Sequence, residues 1–354
     1  MSRFLQARHR ALTPYTPGEQ PRERRYIKLN TNESPFPPSQ VAIRAAQEEA
    51  EQLQLYSDPT AKRLCEAFAE LIAVPPECVM ATNGSDEILD FAFMAFCGET
   101  SPAVFPDITY GFYPVFAALH GVPYTEIPLL GDFSVDVDAL CRTPGTVFLA
   151  NPNAPTGIAL PVTEIERVLR AHPDDVVVVD EAYVDFGAVS CVPLIAKYDN
   201  LLVTQTFSKS RSMAGARLGF GIANAALIAD LQTIRNSTNP YNVNRMTMAA
   251  GIGAIRSEAE TRERCGVIIR TREAVAKELG SLGFTVIPSS ANFLFIRHPA
   301  VGGEALYRAL RERGILVRHF NVPRIVDYNR VTVGSSDEME TFLAAIRNIL
   351  EVDL

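Results

Sequence analysis

Four short clusters of polar residues each follow a stretch with the pattern of a β-strand. They contain an amine, carboxylates, hydroxyls and amides, and they lie at Gly84–Glu87, Asn151–Gly157, Asp180–Tyr183 and Thr206–Lys209. In open α/β sheets, ligands bind just beyond the carboxyl ends of the strands. Each cluster alone is a weak signal, but their common position predicts a site for a small charged molecule.

Lys209 carries the most reactive group in these clusters. A lysine amine can hold an aldehyde covalently and afterwards move a proton, and the preceding strand LLVTQTF would fix its position. Thr206, Ser208 and Arg217 add the hydroxyl and guanidinium donors that a phosphate dianion requires. Without these neighbours, Lys209 would be interpreted as an ordinary surface lysine.

Asp180 ends a run of four valines, which places a carboxylate at the mouth of a buried strand. A buried charge is costly unless it faces a cation, and a protonated ring nitrogen would be such a cation. An ionised Asp180 would keep that nitrogen protonated and let the ring accept electrons. Taken alone, Asp180 could instead cap a following helix.

The segments between the clusters predict the elements that position them. Short β-rich stretches alternate with helical ones from residue 103 onward, and VVVVD is apolar on both faces. This pattern is typical of a mostly parallel α/β sheet covered on both sides. We expect strands in AVFP, PYTEIPL, VDVDAL, TVFLANP, VVVVDEAY and LLVTQTFS, and helices near 39–55, 60–73, 111–120, 162–171, 244–282 and 303–313.

The chain is predicted to divide into three parts. Residues 1–40 contain six of the 24 prolines, which indicates an extended N-terminal arm that joins the smaller domain. Residues 41–265 predict a large α/β domain, and residues 266–354 predict a smaller α+β domain.

Length, charge and cysteine usage exclude several classes of function. The chain has 354 residues, enough for about two domains, and its net charge of -8 argues against nucleic acid as a partner. Apolar stretches fall short of the roughly 18 to 20 residues of a membrane span, and the N-terminus lacks a signal-peptide core, so a cytoplasmic protein is expected. The 6 cysteines form no CxxC pair and the 5 histidines are scattered, which predicts reduced thiols and no metal site.

Taken in order, the clusters resemble the fold-type I enzymes that use pyridoxal 5'-phosphate, and most closely the histidinol-phosphate aminotransferases. The similarity runs through LTPY, LNTNESP, YSDP, NGSDEIL, NPNAPTG, VVVDEAYVDF, TFSKS, GARLGF, PYNVN, SSANFLF, GILVR and RVTVGS. It implies a large domain with a mostly parallel, seven-stranded type of sheet covered by helices, and a smaller α+β domain. It also implies a homodimer with shared active sites.

The resemblance assigns cofactor roles to individual residues. Lys209 would hold the cofactor aldehyde, Asp180 would face the ring nitrogen, and Tyr183 with Asn153 would hydrogen-bond the ring oxygen O3'. Contacts to the phosphate or the ring face are implied for Ser85, Asp86, Tyr110, Thr206, Ser208 and Arg217, with Tyr56 reaching over from the other subunit. Helix capping explains Ser85 and Asp86 equally well, and an aromatic such as Tyr110 is more often part of the core.

The same resemblance implies a substrate site. Arg330 would receive the α-carboxylate of glutamate, or the phosphate of histidinol phosphate in the other half-reaction. Arg318 and Tyr15 would share that phosphate, and Asn153 would border the substrate.

The implied reaction belongs to histidine biosynthesis: glutamate becomes 2-oxoglutarate, and imidazole-acetol phosphate becomes histidinol phosphate. Ala154, Arg211 and Ser212 depart from the usual motif residues. An aromatic amino acid aminotransferase and a threonine-phosphate decarboxylase of the same family therefore remain alternatives, as does a cofactor-free binding protein on the same scaffold. A dinucleotide-binding enzyme is disfavoured because no GxGxxG opens a helix.

Overall fold

The computed structural model describes residues 2–21 and 23–352. Within these residues the strands are β1 (Ile27–Lys28), β2 (Val79–Thr82), β3 (Ala103–Pro106), β4 (Tyr124–Ile127), β5 (Thr146–Ala150), β6 (Val177–Asp180), β7 (Leu201–Thr206), β8 (Gly219–Ala223), β9 (Thr285–Ile287), β10 (Phe293–Arg297), β11 (Ile315–Leu316), β12 (Arg318–His319) and β13 (Asn329–Thr332). The α-helices are α1 (Gln40–Ala50), α2 (Lys62–Ile72), α3 (Ser85–Phe96), α4 (Tyr113–His120), α5 (Val137–Arg142), α6 (Val162–Ala171), α7 (Ala225–Thr238), α8 (Arg245–Arg256), α9 (Glu258–Ser281), α10 (Gly303–Glu312) and α11 (Ser336–Val352).

The central sheet has seven strands in the order β2-β8-β7-β6-β5-β3-β4, and only β8 runs against its neighbours. Its middle strands are buried on both faces. In β6, Val177 and Val179 pack into one apolar cluster while Val178 packs into another on the opposite face. The predicted α/β class with a mostly parallel, helix-covered sheet is therefore confirmed.

The register of this sheet brings the polar clusters to one edge. Ala150 pairs with Asp180, and Asp180 pairs with Thr204. Because β8 is antiparallel, its first residue, Gly219, lies beside the ends of β7 and β2. Residues from different parts of the chain, from Thr82 to Gly219, thus meet at the carboxyl ends of β2, β5, β6 and β7.

A second, antiparallel sheet has the order β12-β13-β10-β9, and helices α9, α10 and α11 contribute to its core. The N-terminal segment joins this unit, because β1 pairs in parallel with β11. Helix α9 runs through the predicted boundary between residues 265 and 266. The three-part division of the chain stays a prediction.

Two predicted elements are wrong. The alternating VDVDAL segment was expected to be a strand, but Asp136 caps helix α5 by accepting a hydrogen bond from the Ala139 N–H at 2.8 Å. The expected single helix over 244–282 is interrupted at Ser257. Helix α8 packs on α1 and the central sheet, whereas the end of α9 packs into the smaller unit, so the chain must change direction between them.

Across residues 2–21 and 23–352, no helix combines the length and the apolar character that crossing a membrane requires.

Candidate active site

Lys209 lies just beyond the end of β7, in a cleft at the carboxyl edge of the central sheet. Its Nζ donates a hydrogen bond to the carbonyl of Thr31 at 3.2 Å and lies 5.8 Å from the centroid of the Tyr183 ring. The amine is therefore held between the sheet and the N-terminal segment and points into the cleft.

Asp180 ends the neighbouring strand and is 5% exposed. Its Oδ1 accepts a hydrogen bond from the Ala182 N–H at 3.1 Å. Burial, with the negative charge of Asp86 as the next largest cause, raises the pKa of Asp180 to about 7, although the Ala182 hydrogen bond and nearby Lys209 oppose the shift. A cation in the cleft would stabilise the ionised carboxylate, so this end of the site suits a positively charged group.

The residues around Arg217 form the other end of the cleft, which suits an anion. Its Nη1 donates to the Ser208 hydroxyl at 3.4 Å, and the Thr206 hydroxyl donates to the same oxygen at 2.9 Å. Gly84, at φ +83°, precedes α3, and a Cβ added there would lie 2.6 Å from Arg217 Nη2. The glycine therefore leaves room for the guanidinium and for an anion beside it.

Asp86 orients two of its neighbours. It accepts a hydrogen bond from the Tyr110 hydroxyl at 2.7 Å and forms an ion pair with Arg217 at 3.0 Å. Burial raises the pKa of Tyr110 well above its usual value, with Asp86 contributing, so the phenol stays protonated. Ser85 begins α3, whose first-turn N–H groups have no acceptors within the helix and suit an anion.

The Asn153 side chain does not line the cleft, although its neighbours Pro152 and Ala154 do. Its Nδ2 donates to the Ile108 carbonyl at 3.0 Å and to the Thr156 hydroxyl at 3.1 Å. Both amide hydrogens are used, so donating to a cofactor oxygen would require breaking one of these bonds. The predicted role of Asn153 stays a prediction.

A second cavity adjoins the first and shares Tyr110, Tyr183 and Lys209 with it. Arg318 and Arg330 line this second cavity and face each other across β12 and β13. Two like charges in directly opposed positions repel unless an anion lies between them.

The contacts of these two arginines are few. Arg330 Nη2 donates to the Asn30 carbonyl at 3.1 Å, while its buried Nε lacks a partner among the described residues. Arg318 donates to the carbonyls of Thr16 and Pro17 at 2.9 and 3.2 Å. Neutral carbonyls and the ring faces of Phe293 and Phe320 hold the two guanidinium groups, so these contacts leave their positive charge available to an anionic ligand.

Two aromatic residues predicted for the site lie in different places. Tyr15 lines the second cavity and stacks on Phe112, with ring centroids 4.4 Å apart. Tyr56 is 81% exposed, stacks on Tyr241 at 4.7 Å, and lines neither cavity. The structure thus brings the predicted site residues to the two cavities, with the exceptions of Asn153 and Tyr56.

Sequence reasoning missed the contribution of the N-terminal segment. The carbonyls of Asn30 and Thr31 hold Arg330 and Lys209, and Asn32 donates a hydrogen bond to the Tyr183 hydroxyl. The LNTNESP motif was the available signal, but nothing local in it shows which distant residues it contacts.

The site fits pyridoxal 5'-phosphate. The Asp180 carboxylate suits the protonated ring nitrogen of the cofactor. The Lys209 amine can bond to its aldehyde, and the donors around Arg217 suit its phosphate. A fold-type I enzyme that uses this cofactor is the class defined by the sheet together with this cleft.

Comparison with known proteins gives the family. The family model described as aminotransferase class I and II matches residues 24–346. The chain belongs to this family, and two curated relatives that span essentially its full length place it among the histidinol-phosphate aminotransferases.

Two curated relatives span essentially the full chain. It is 49% identical to histidinol-phosphate aminotransferase 2 of Dechloromonas aromatica, covering 99% of each chain. It is 47% identical to histidinol-phosphate aminotransferase 1 of Bradyrhizobium diazoefficiens, covering 99% of this chain and 100% of the relative.

A solved structure supports the fold. The histidinol-phosphate aminotransferase of Sinorhizobium meliloti, in complex with pyridoxal 5'-phosphate, superimposes with a TM-score of 0.86 at 24% identity. The match covers 94% of this chain and 93% of that one.

Proposed function

We propose that this protein is a pyridoxal-phosphate-dependent aminotransferase that moves an amino group from glutamate to imidazole-acetol phosphate, giving histidinol phosphate, in histidine biosynthesis. The observation that carries the proposal is the pair of facing arginines, Arg318 and Arg330, in a cavity continuous with Lys209. The names of the full-length relatives support the same substrates.

Lys209 is the proposed catalytic base. When bound, pyridoxal 5'-phosphate supplies an electron sink that stabilises negative charge on the substrate Cα. Lys209 would remove the substrate Cα proton with its free amine and release a proton on the cofactor side of the shared nitrogen, and its hydrogen bond to the Thr31 carbonyl keeps the amine over the cleft. Ionised Asp180 would hold the ring nitrogen protonated, and the Tyr183 hydroxyl would donate to the ring oxygen.

The phosphate of the cofactor would be held at one end of the cleft. The donors proposed for it are the hydroxyls of Ser85 and Ser208, the first-turn N–H groups of α3 and the guanidinium of Arg217, while Thr206, whose one hydroxyl hydrogen goes to Ser208, would orient that serine beside the phosphate. The Asp86 carboxylate would not contact the phosphate, because two anions repel, and it orients Tyr110 and Arg217 instead. Tyr110 would cover the ring face.

The substrate anion would be gripped in the second cavity. A single carboxylate needs one guanidinium, whereas a phosphate carries more charge and can engage Arg318, Arg330 and the Tyr15 hydroxyl together. Paired arginines therefore favour a phosphorylated acceptor over a plain aromatic one.

The test compares acceptors with glutamate as the amino donor. The holoenzyme should prefer imidazole-acetol phosphate to phenylpyruvate, and Arg318→Gln should lower kcat/KM for the phosphorylated acceptor by about 10- to 100-fold, the cost of a charge-assisted contact. The same variant should change kcat/KM with phenylpyruvate much less. Preference for phenylpyruvate would indicate an aromatic aminotransferase, and carbon dioxide release from L-threonine phosphate would indicate a decarboxylase.

We further propose a homodimer in which Tyr56 completes the site of the partner. Tyr56 lies outside both cavities of its own chain, and Leu53, Leu55 and Tyr241 nearby are also exposed large hydrophobic residues. Exposed apolar patches of this kind mark association surfaces.

A mixed dimer tests this arrangement. Tyr56→Phe alone should weaken cofactor binding by about tenfold, the loss of one phosphate hydrogen bond. In a heterodimer of Tyr56→Phe with Lys209→Ala, the subunit that keeps Lys209 would receive an intact Tyr56 from its partner. Its cofactor affinity should therefore return to the original value. Affinity that stays weak, or a monomer by analytical ultracentrifugation, would contradict the shared site.

The proposal places the enzyme in the cytoplasm, where thiols stay reduced. The 6 cysteines all lie within the described residues and are free.

A further inference from the structure

Asn32 links the N-terminal segment to Tyr183 and to the second sheet at the same time. The residue is 1% exposed, and its Nδ2 donates to the Tyr183 hydroxyl at 2.9 Å. Its backbone N–H donates to Thr332 Oγ1 at 2.9 Å, and its carbonyl accepts from Asn292 Nδ2 at 3.0 Å. Thr332 lies 300 positions away in the chain, on β13.

These contacts fix which way the Asn32 amide faces. Thr332 Oγ1 accepts from the Asn32 N–H and donates its one hydrogen to Asn32 Oδ1 at 3.1 Å. Rotating the amide by half a turn would bring two donors to Thr332 and leave its hydroxyl hydrogen without this acceptor. Because Thr332 is 2% exposed, water cannot readily replace the bond, and the observed orientation is favoured.

The orientation of Asn32 has a consequence for the Tyr183 hydroxyl. A phenol oxygen that accepts a hydrogen bond from Asn32 must direct its own hydrogen elsewhere. Tyr183 borders both cavities, so the open direction is the cleft. The charged groups that share these cavities with Tyr183 include Lys209, Asp180, Glu33, Asp86, Asp107, Arg217, Arg318 and Arg330.

We propose that Asn32 is a positioning residue that aims the Tyr183 hydroxyl hydrogen at the ring oxygen of the bound cofactor. The inference rests on the proposed function, in which Tyr183 donates to that oxygen. A hydrogen bond donated to the ring oxygen stabilises its negative charge, and so it lowers the pH at which the bound cofactor loses its proton. Asn32 would thereby set the cofactor's protonation state without touching the cofactor.

The backbone of Asn32 decides which substitution is informative. Its φ of 55° lies in the left-handed region, which asparagine, aspartate and glycine tolerate better than other residues. Asn32→Asp keeps the size and this conformation but replaces the donor by an acceptor, which would turn the Tyr183 hydrogen away from the cleft. Asn32→Gly removes the side chain, adds no charge, and serves as the second variant should Asn32→Asp fold poorly.

The readout is the pH midpoint of the visible absorption band of the bound cofactor in the holoenzyme. Asn32→Asp should raise the midpoint by about one pH unit, and Asn32→Gly should raise it by a smaller amount. Both substitutions are repeated with Tyr183→Phe, which removes the hydroxyl. In that background Asn32→Asp should shift the midpoint by at least about half a unit less, the remainder reporting its added charge, and Asn32→Gly, which adds no charge, should leave the midpoint unchanged.

The outcomes separate the inference from the proposed function. Equal shifts with and without the Tyr183 hydroxyl, or no shift in either Asn32 variant, would overturn the role of Asn32. A midpoint unchanged by Tyr183→Phe itself would remove both the Tyr183 contact and its positioning by Asn32. Neither result would affect amino transfer from glutamate, whose absence would instead refute the proposed function. Thermal denaturation of each variant verifies that the proteins compared are folded.

Discussion

Replacing Lys209 by alanine is expected to lower kcat for amino transfer by at least about 10³-fold, within the range that a positioned general base contributes. The amine at the end of β7 is the proposed carrier of the transferred proton, and alanine leaves no group to replace it. The fold should persist, because the Lys209 side chain projects into a cleft and the substitution removes one hydrogen bond, from its Nζ to the Thr31 carbonyl. Steady-state kinetics and circular dichroism on the same preparation measure both effects.

The surface lysine Lys197 provides a matched control. It pairs with Glu166 on the exposed side of the molecule, so Lys197→Ala should leave kcat unchanged. Small primary amines added to Lys209→Ala should restore part of the activity, because they can occupy the emptied space and accept the proton. Turnover within tenfold of the original enzyme in Lys209→Ala would refute the assignment of Lys209 as the base.

Replacing Asp180 by asparagine is expected to lower kcat by roughly 10²- to 10⁴-fold while the cofactor stays bound. The amide is nearly the same size and can still accept the Ala182 hydrogen bond, but it carries no charge to hold the ring nitrogen protonated. Cofactor content by absorbance and single-turnover kinetics separate the two effects. Unchanged activity would remove Asp180 from the mechanism.

Although Asp180→Asn should lower activity, the same substitution should stabilise the cofactor-free protein. The folded pKa of Asp180 is about 7, well above the unfolded value of about 3.9. Between these two pH values the folded state binds more protons than the unfolded state, so the free energy of unfolding falls as pH rises. Asp180→Asn removes this penalty.

The stability gain is therefore pH-dependent. Cofactor-free Asp180→Asn should be more stable than the original protein at pH 8, by up to about 4 kcal/mol, with the difference shrinking towards pH 4. Denaturant unfolding at several pH values measures this. A gain that is the same at pH 5 and pH 8 would show that the burial of the charge is not its cause.

Glu181→Gln is the control for Asp180→Asn, because Glu181 is a buried carboxylate that does not face the cleft. Its Oε2 accepts hydrogen bonds from the Ser190 hydroxyl and the Gln205 amide, its Oε1 accepts one from the Cys191 N–H, and it lines neither cavity. Glu181→Gln should destabilise the protein, because an amide cannot accept all of these bonds, while turnover per folded site stays unchanged.

Local patterns predicted the elements that present the reactive groups. The apolar run before Asp180 and the segment before Lys209 gave adjacent strands, because burial on both faces leaves a continuous hydrophobic signature. The pattern failed at VDVDAL, where alternation suggested a strand but the Asp136 cap formed a helix. It also failed at Ser257, where the helix on one side packs into the core around the central sheet and the end of the next helix packs into the core of the smaller unit.

The contacts of the N-terminal segment illustrate what no local pattern contains. Asn32 and Thr332 are adjacent only because β1 pairs with β11 and the second sheet places β13 beside them. The same holds for the facing arginines, whose opposition depends on the register of β12 against β13.

Local hydrophobicity and spacing along the chain are enough to predict which chemical groups stand at the strand ends. How those groups are held follows from three-dimensional packing. Long-range packing produces the contact of the Thr31 carbonyl with Lys209, that of the Asn32 amide with Tyr183, and a buried Arg330 Nε that finds no partner among the described residues. Hydrogen bonds between residues distant in the chain carry no periodic signal, so they become visible only when the sheets and the N-terminal segment are assembled.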